Sequence, residues 1–278
     1  MTQVTRHAQG GLVQLCQYFG KPVPSGMVNS TLNEALNVVP TIHMAPTEYP
    51  IAGYFMIGNG GATGSVVNNR LKLTETPHLG NHTSLYSPTP FLIRPVTADV
   101  GVDRTKYFMR KIQVFNGVSY ACYYLKAIDL NDVDPTLELR TISSSGIVTA
   151  TPFTHVASDM NPVPPVIAPG QTIGVGANYI AASAIIQFGM NSTERDEYVN
   201  ACNIIYGGSG YDNIFELATV GGVKKSVTIA GNFTYDEVVD ARILSSISTS
   251  LIMGSLNNGV TVDINVSIVD GLLQIVSL

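Results

Sequence analysis

The chain has 278 residues, 45% hydrophobic and only 13% charged, with a formal net charge of −5. That is about half the ~25% charge usual in soluble domains, so the surface must be built from Ser, Thr, Asn, Gln and Gly, which suits a protein packed among partners. The only basic runs are the pairs Arg110-Lys111 and Lys224-Lys225, an argument against nucleic acid as the main partner, and no apolar run reaches the ~20 residues of a membrane helix.

In chain order, residues 1–50 read as an extended N-terminal arm, with no secretion signal over Met1–Gly20. Leu12–Phe19 is apolar enough for a short strand or helix, and the Lys-Pro-Val-Pro-Ser-Gly stretch after it interrupts regular structure. Ser30-Thr31-Leu-Asn-Glu34 has the spacing of a capping box, opening a short helix that Pro40 ends. The apolar residues Leu12, Val13, Leu15, Tyr18, Phe19, Val38, Val39 and Ile42 predict that the arm lies across a neighbouring subunit.

Residues 51–160 read as a β domain. Ile51–Gly58 is a strand stopped by Gly58-Asn-Gly-Gly61, and Val66–Leu73 is a second strand or a loop. Thr74–Thr89 is a long polar loop of a length uncommon without a role. Phe91–Val96 is a strand whose Pro95 marks an edge or a bulge. The centre of the chain is Lys106–Leu130, two aromatic and β-branched runs around Asn116-Gly117. That pair predicts a hairpin with a type I′ turn. Thr136–Thr141 and Ile147–Thr151 predict two further strands.

Residues 161–170 carry four prolines within the tract Met160–Gly170 and predict a stiff linker. Residues 171–278 read as a mixed α+β domain. Thr172–Phe188 is strand-like; Ser192 or Thr193 caps a helix to Tyr206, stopped by Gly207–Gly210. Lys225–Ala230 is a strand, and Thr234-Tyr-Asp-Glu237 predicts a capped helix to about Ser245. Val260–Val269 alternates, and Asp270-Gly271 predicts a turn into Leu272–Leu278, a second hairpin. The class expected is mainly β, sandwich or barrel-like, with a few short helices.

Candidate chemistry is sparse. His78 and His82 have a metal spacing only on a helix, which Pro77 and the intervening Leu-Gly-Asn oppose, so they read as surface histidines. Asp129, Asp132 and Asp134 faintly follow a calcium loop but lack its glycine and closing glutamate, so they read as a solvated turn. Gly58–Gly64 follows a strand as phosphate-cradling loops do, but no lysine or helix follows, and a flexible turn is the plainer reading. Cys16, Cys122 and Cys202 sit at no metal or nucleophile spacing and read as free, buried thiols. Tyr120, Tyr123 and Tyr124 offer at most part of a binding face, since alternation separates Tyr123 from Tyr124. No catalytic, cofactor or metal residue is assigned.

The stretch Phe91-Leu-Ile-Arg-Pro-Val followed by Arg110-Lys-Ile-Gln-Val-Phe-Asn-Gly-Val-Ser-Tyr-Ala-Cys-Tyr-Tyr-Leu-Lys126, in its uncharged Ser/Thr/Asn-rich setting, resembles virion structural proteins of large tailed bacteriophages. That resemblance, of texture over most of the chain, implies a non-enzymatic subunit of a neck, tail or baseplate. Its partners would be copies of itself and other virion proteins, with no cofactor, small-molecule substrate, nucleic acid or membrane. It would be made in the host cytoplasm and reside in the virion. The alternative class is a carbohydrate-binding or host-recognition β module.

Overall fold

The computed structural model describes residues 3–67, 70–99, 105–208, 211–229, 233–252 and 259–277. The elements in order are β1 (Gln3–Arg6), α1 (Ala8–Tyr18), α2 (Leu32–Leu36), β2 (Ile51–Gly58), β3 (Ala62–Val67), β4 (Arg70–Glu75), β5 (Pro88–Thr89) and β6 (Leu92–Pro95). A single 3-10 turn, Val96–Ala98, leads on to β7 (Tyr107–Phe115), β8 (Val118–Ala127), β9 (Thr136–Ile142), β10 (Val148–Pro152) and α3 (Ala157–Met160). Then come β11 (Gln171–Met190), α4 (Ser192–Tyr206), β12 (Asn213–Ile229), β13 (Phe233–Ile252) and β14 (Val260–Ser277). The chain is mainly β, as its composition and alternation predict, and all its recorded strand pairings are antiparallel.

Two units divide the chain, and the division differs from the one read along the sequence. Unit 1 combines Met1–Ile128 with Gly189–Thr261; unit 2 combines Asp129–Phe188 with Val262–Leu278. The proline-rich tract 161–170 therefore lies inside unit 2 and does not separate two domains. The physical reason is strand pairing. β11 pairs with β9 and neighbours β14, while β12 and β13 return to pair with β2 and β1.

Unit 1 is built on an eight-stranded sheet in the order β1-β13-β12-β2-β8-β6, with β5 on β2 and β7 on β8. β3 and β4 form a separate two-stranded ladder. The central hairpin is as expected: Phe115 pairs with Val118, and Asn116 and Gly117 have φ of 49° and 78°. Both central residues are left-handed, the requirement of a type I′ turn. Leu32, Met56, Ile93, Leu125, Val220 and Ile243 belong to the core of this unit.

Residues 3–50 are not an extended arm. β1 pairs with β13, and Val13, Val23, Leu32, Leu36, Val38 and Met44 are buried. The capping box is real: the Thr31 hydroxyl accepts from Glu34 N–H, and the Glu34 carboxylate accepts from Thr31 N–H. α2 ends at Asn37, left-handed with φ 55°, before Pro40 is reached. The reason this segment packs on its own unit lies in β13. A bulge at Asp240 (φ 48°) and Ala241 disrupts the ladder with β12; the Asn33 side chain answers the freed backbone groups, and the Asp240 carboxylate is met by residues 43 and 44. Asn33 Oδ1 accepts from Ala241 N–H at 2.9 Å, and its Nδ2 donates to the carbonyls of Val238 (2.9 Å) and Val38 (3.0 Å). Asp240 accepts from Met44 N–H at 2.7 Å and His43 Nδ1 at 3.2 Å.

The helix expected from Thr234 to Ser245 is instead the first half of β13. Glu237 does cap backbone donors, but those of Met109 and Arg110 (2.6 and 3.0 Å) on β7, where Met109 has φ 58°. Val238, Val239, Ala241 and Ile243 are all buried, and Asp236–Val239 pair rung by rung with β12. Long-range pairing overrides a local cap signal. The terminal hairpin is also absent, since β14 runs unbroken through Asp270-Gly271 alongside the 20-residue β11. The helix at 192–206 forms as expected, but its cap is Asn191, whose side chain accepts from Glu194 N–H, and not Ser192 or Thr193, which lie in its first turn; Gly207 (φ 75°) ends it, and Ser209 and Gly210 lie outside the described residues.

Unit 2 is a four-stranded sheet in the order β10-β9-β11-β14. Among the described residues its only helix is the single turn α3.

Candidate functional site

A buried polar cluster of unit 1 forms around Glu216, a lone carboxylate in an otherwise apolar run of β12. Ile214, Leu217, Ala218 and Val220 beside it are core residues, and the Glu216 side chain is 1% exposed. Glu216 pairs with Gly58 on β2 and Ser248 on β13. A Cβ on Gly58 would lie 2.7 Å from Glu216 Oε1, and one on Gly60 2.6 Å, so these two glycines open the slot that the carboxylate fills. Oε1 accepts from Gly60 N–H (2.8 Å) and Ser87 N–H (3.1 Å). Oε2 accepts from Tyr86 N–H (2.7 Å) and His78 Nε2 (2.6 Å). Four donors meet the four lone-pair positions of an ionised carboxylate.

The glycine-rich loop after β2, expected as a flexible turn, thus gives one N–H, that of Gly60, to an internal carboxylate. The carboxylate's other donors order the long polar segment 76–87. His78 is buried, not a surface histidine. Its ring stacks on Tyr86 at 4.3 Å, and its Nδ1 lies 3.0 Å from Nδ1 of His82. His7, 1% exposed, completes the cluster from the start of α1. Its Nδ1–H donates to the His82 carbonyl at 2.8 Å, which leaves Nε2 to accept from the Ser246 hydroxyl at 2.8 Å. Burial first, then the positive potential of neighbouring histidines, holds His7 and His82 below the ordinary histidine range.

His78 and His82, expected as separate surface histidines, are brought together by a loop and against a carboxylate. Glu216 and His7 went unassigned in the sequence. The signal for Glu216 was a single acid inside Ile214–Val220; His7 carried none. Chemically the array is a carboxylate–imidazole–imidazole relay whose inner members are sealed. Among the described residues no three His, Cys, Asp or Glu side chains are grouped to hold a metal ion.

The other sequence candidates are dispersed. Asp129 accepts from Asn131 N–H at 3.0 Å in an exposed turn of unit 2. Tyr123 and Tyr124 are buried in the sheet, their hydroxyls donating to Asp99 and, at 2.5 Å, to Gln113, so they form no binding face. Cys122 and Cys202 are buried free thiols, pushed up to about 12 by burial; Cys16 is half-buried. Neither buried thiol is a ready nucleophile near neutrality.

A family model described as a family of unknown function (DUF7208) matches residues 1–275. The chain belongs to the DUF7208 family. Comparison with curated proteins and with solved structures gives no match. The match spans both units, so the Glu216 cluster of unit 1 and the sheet of unit 2 both fall within the DUF7208 region. No helix among the described residues is long and apolar enough to cross a membrane.

Proposed function

We propose that the chain is a non-enzymatic structural subunit of a tailed-bacteriophage particle, in its tail, baseplate or neck, acting by self-assembly and protein–protein contacts. The observation that carries the assembly role is the run of apolar side chains left in solvent over residues 156–166. Val156 is 59% exposed, Met160 82%, Val163 85% and Val166 91%. On a chain with only 13% charged residues, such a run is an aggregation liability unless a partner covers it. The Glu216 cluster supports a non-enzymatic role, because the carboxylate's hydrogen-bonding capacity is spent on three backbone N–H groups and the His78 side chain. The assignment to a phage particle comes from the likeness in texture of residues 91–126.

The test is mass spectrometry on density-purified particles from a culture that makes the chain. The expected result is the chain at a fixed copy number per particle, released only under denaturing conditions. Recovery solely from the soluble, particle-free fraction would overturn the proposal.

A further inference from the structure

Residues 77–82 are fastened to unit 1 by polar contacts. Within this segment only His78 is buried, and Leu79 stands 61% exposed. The apolar anchor of the loop comes later, at Leu85 in the core. The fasteners are hydrogen bonds to the junction of β1 and α1. The Thr5 hydroxyl donates to the His78 carbonyl at 2.9 Å, Ala8 N–H to the Gly80 carbonyl at 2.7 Å, and His7 Nδ1–H to the His82 carbonyl at 2.8 Å. His78 Nε2–H adds the bond to Glu216. With so little apolar surface buried, closure of the segment depends on these polar contacts.

Those contacts have room for few protons. The Nδ1 atoms of His78 and His82 face each other at 3.0 Å, where one hydrogen makes a bond and two would set donor against donor. The pair therefore takes up one proton with its bonds intact, as an imidazolium on either ring, and not a second. His7 Nε2 lies 2.8 Å from the Ser246 hydroxyl, and its ring is 5.9 Å from that of His78. A proton on His7 is thus a buried charge beside that imidazolium. Among the described residues, Glu216 from β12 is the one carboxylate bonded to these rings, and its four lone-pair positions are filled. The other groups on the rings are neutral: Tyr86, stacked on His78 and edge-on to His82, and Ser246 of β13. The Arg6 guanidinium of β1 bonds to Gln14, and Glu75 at the end of β4 bonds to none of the three rings. α1, Asn59–Gly61 and Ser245–Ser248 carry no charged side chain.

We propose that residues 77–82 form an acid-operated latch, closed on the β1–α1 junction at neutral pH and released as pH falls, while the sheet of unit 1 stays paired. Free in water, all three histidines are charged below about pH 5.5. The closed latch holds one of those three protons, so opening takes up two more. Burial holds His7 and His82 below the ordinary histidine range in the closed form, so closure is fully favoured above pH 6.5 and is lost as pH falls below it. With two protons taken up, the opening equilibrium grows by up to about a hundredfold per pH unit.

The experiment is hydrogen exchange of the full chain, read at single amides by NMR from about pH 7.5 to 5 and corrected for the intrinsic pH dependence of amide exchange. Two amides report on the latch: Ala8 N–H, bonded to the Gly80 carbonyl, and His82 N–H, bonded to the Leu79 carbonyl at 3.1 Å. Their protection is expected to fall by more than about tenfold per pH unit below pH 6.5. The β7–β8 hairpin, which holds no histidine, should keep its protection. A flat profile at both reporters would refute the proton count, and a fall shared equally by the hairpin would make the response global; either overturns the proposal. The natural chain decides the question alone, and a variant adds a second check. His7→Gln with His82→Asn keeps donors at both positions without titrating. Its protection at residues 8 and 82 should vary by less than about threefold over the same range. A variant that keeps the natural pH profile would overturn the assignment of the latch to these rings.

Discussion

Replacing Glu216 by Gln would keep the shape of the side chain and reverse the polarity of one end. An amide NH₂ would then face either the Gly60 and Ser87 N–H groups or Tyr86 N–H and His78. Two buried donors would meet a donor, at an expected cost of about 3 kcal/mol or more. Urea unfolding should show a lower midpoint with an unchanged slope; an unfolding free energy within about 0.5 kcal/mol of the natural chain's would contradict the four-donor account. The histidines make a second prediction. His7 and His82 are held below 6.5, so the fold favours their neutral forms. Their contribution is fully present above pH 6.5 and is lost as pH falls through that value towards their folded-state pKa values. Glutamine at position 7 can donate to the His82 carbonyl and accept from Ser246 without titrating. His7→Gln should therefore flatten the stability curve below pH 6.5, measured by thermal melts across pH 5–8; an unchanged slope would place the titration elsewhere.

Among the elements, the central hairpin and the β13 bulge carry separable predictions. Gly117 has φ 78° with open space around its Cβ position, so Gly117→Val costs backbone strain alone, about 1–3 kcal/mol. Because the turn is exposed, the loss should appear in the unfolding midpoint without aggregation of the folded state. Asn33 is different. Asn33→Ala would orphan Ala241 N–H and the Val238 carbonyl in the core, for an expected loss of about 2–4 kcal/mol. Hydrogen exchange should accelerate at Ala241 before it does at the β7–β8 hairpin. Equal acceleration across both would mean that the bulge is not held by this side chain.

For the whole molecule, the packing of residues 3–50 alters what truncation does. A chain beginning at Ile51 would lose β1, both helices and the Asn33 and Asp240 contacts, and would expose the core of unit 1. It should lose cooperative unfolding in denaturant, detected by tyrosine fluorescence. A sharp transition close to that of the full chain would show the segment to be dispensable to the fold. The two units also differ from the boundaries expected along the chain. Each unit is assembled from discontinuous segments, and no composition shift marks a point where the chain leaves one sheet to join another.

Local chemistry determined several features from the sequence alone. Asn116-Gly117 specifies its turn because few residue pairs tolerate two left-handed conformations in succession. Thr31 and Glu34 specify a helix start, and the strand periods specify a mainly β chain. These signals act over a few residues, so they survive without knowledge of neighbours. Only the tertiary structure decided the fate of Thr234–Ser245, where many rungs of pairing with β12 outweigh one capping box. Only it decided that the N-terminal segment plugs a bulge some 200 positions further along the chain, and that His78 meets Glu216 across 138. In each case the deciding partner is distant in sequence, and the free energy comes from burial and hydrogen bonds that exist only once both segments are in place.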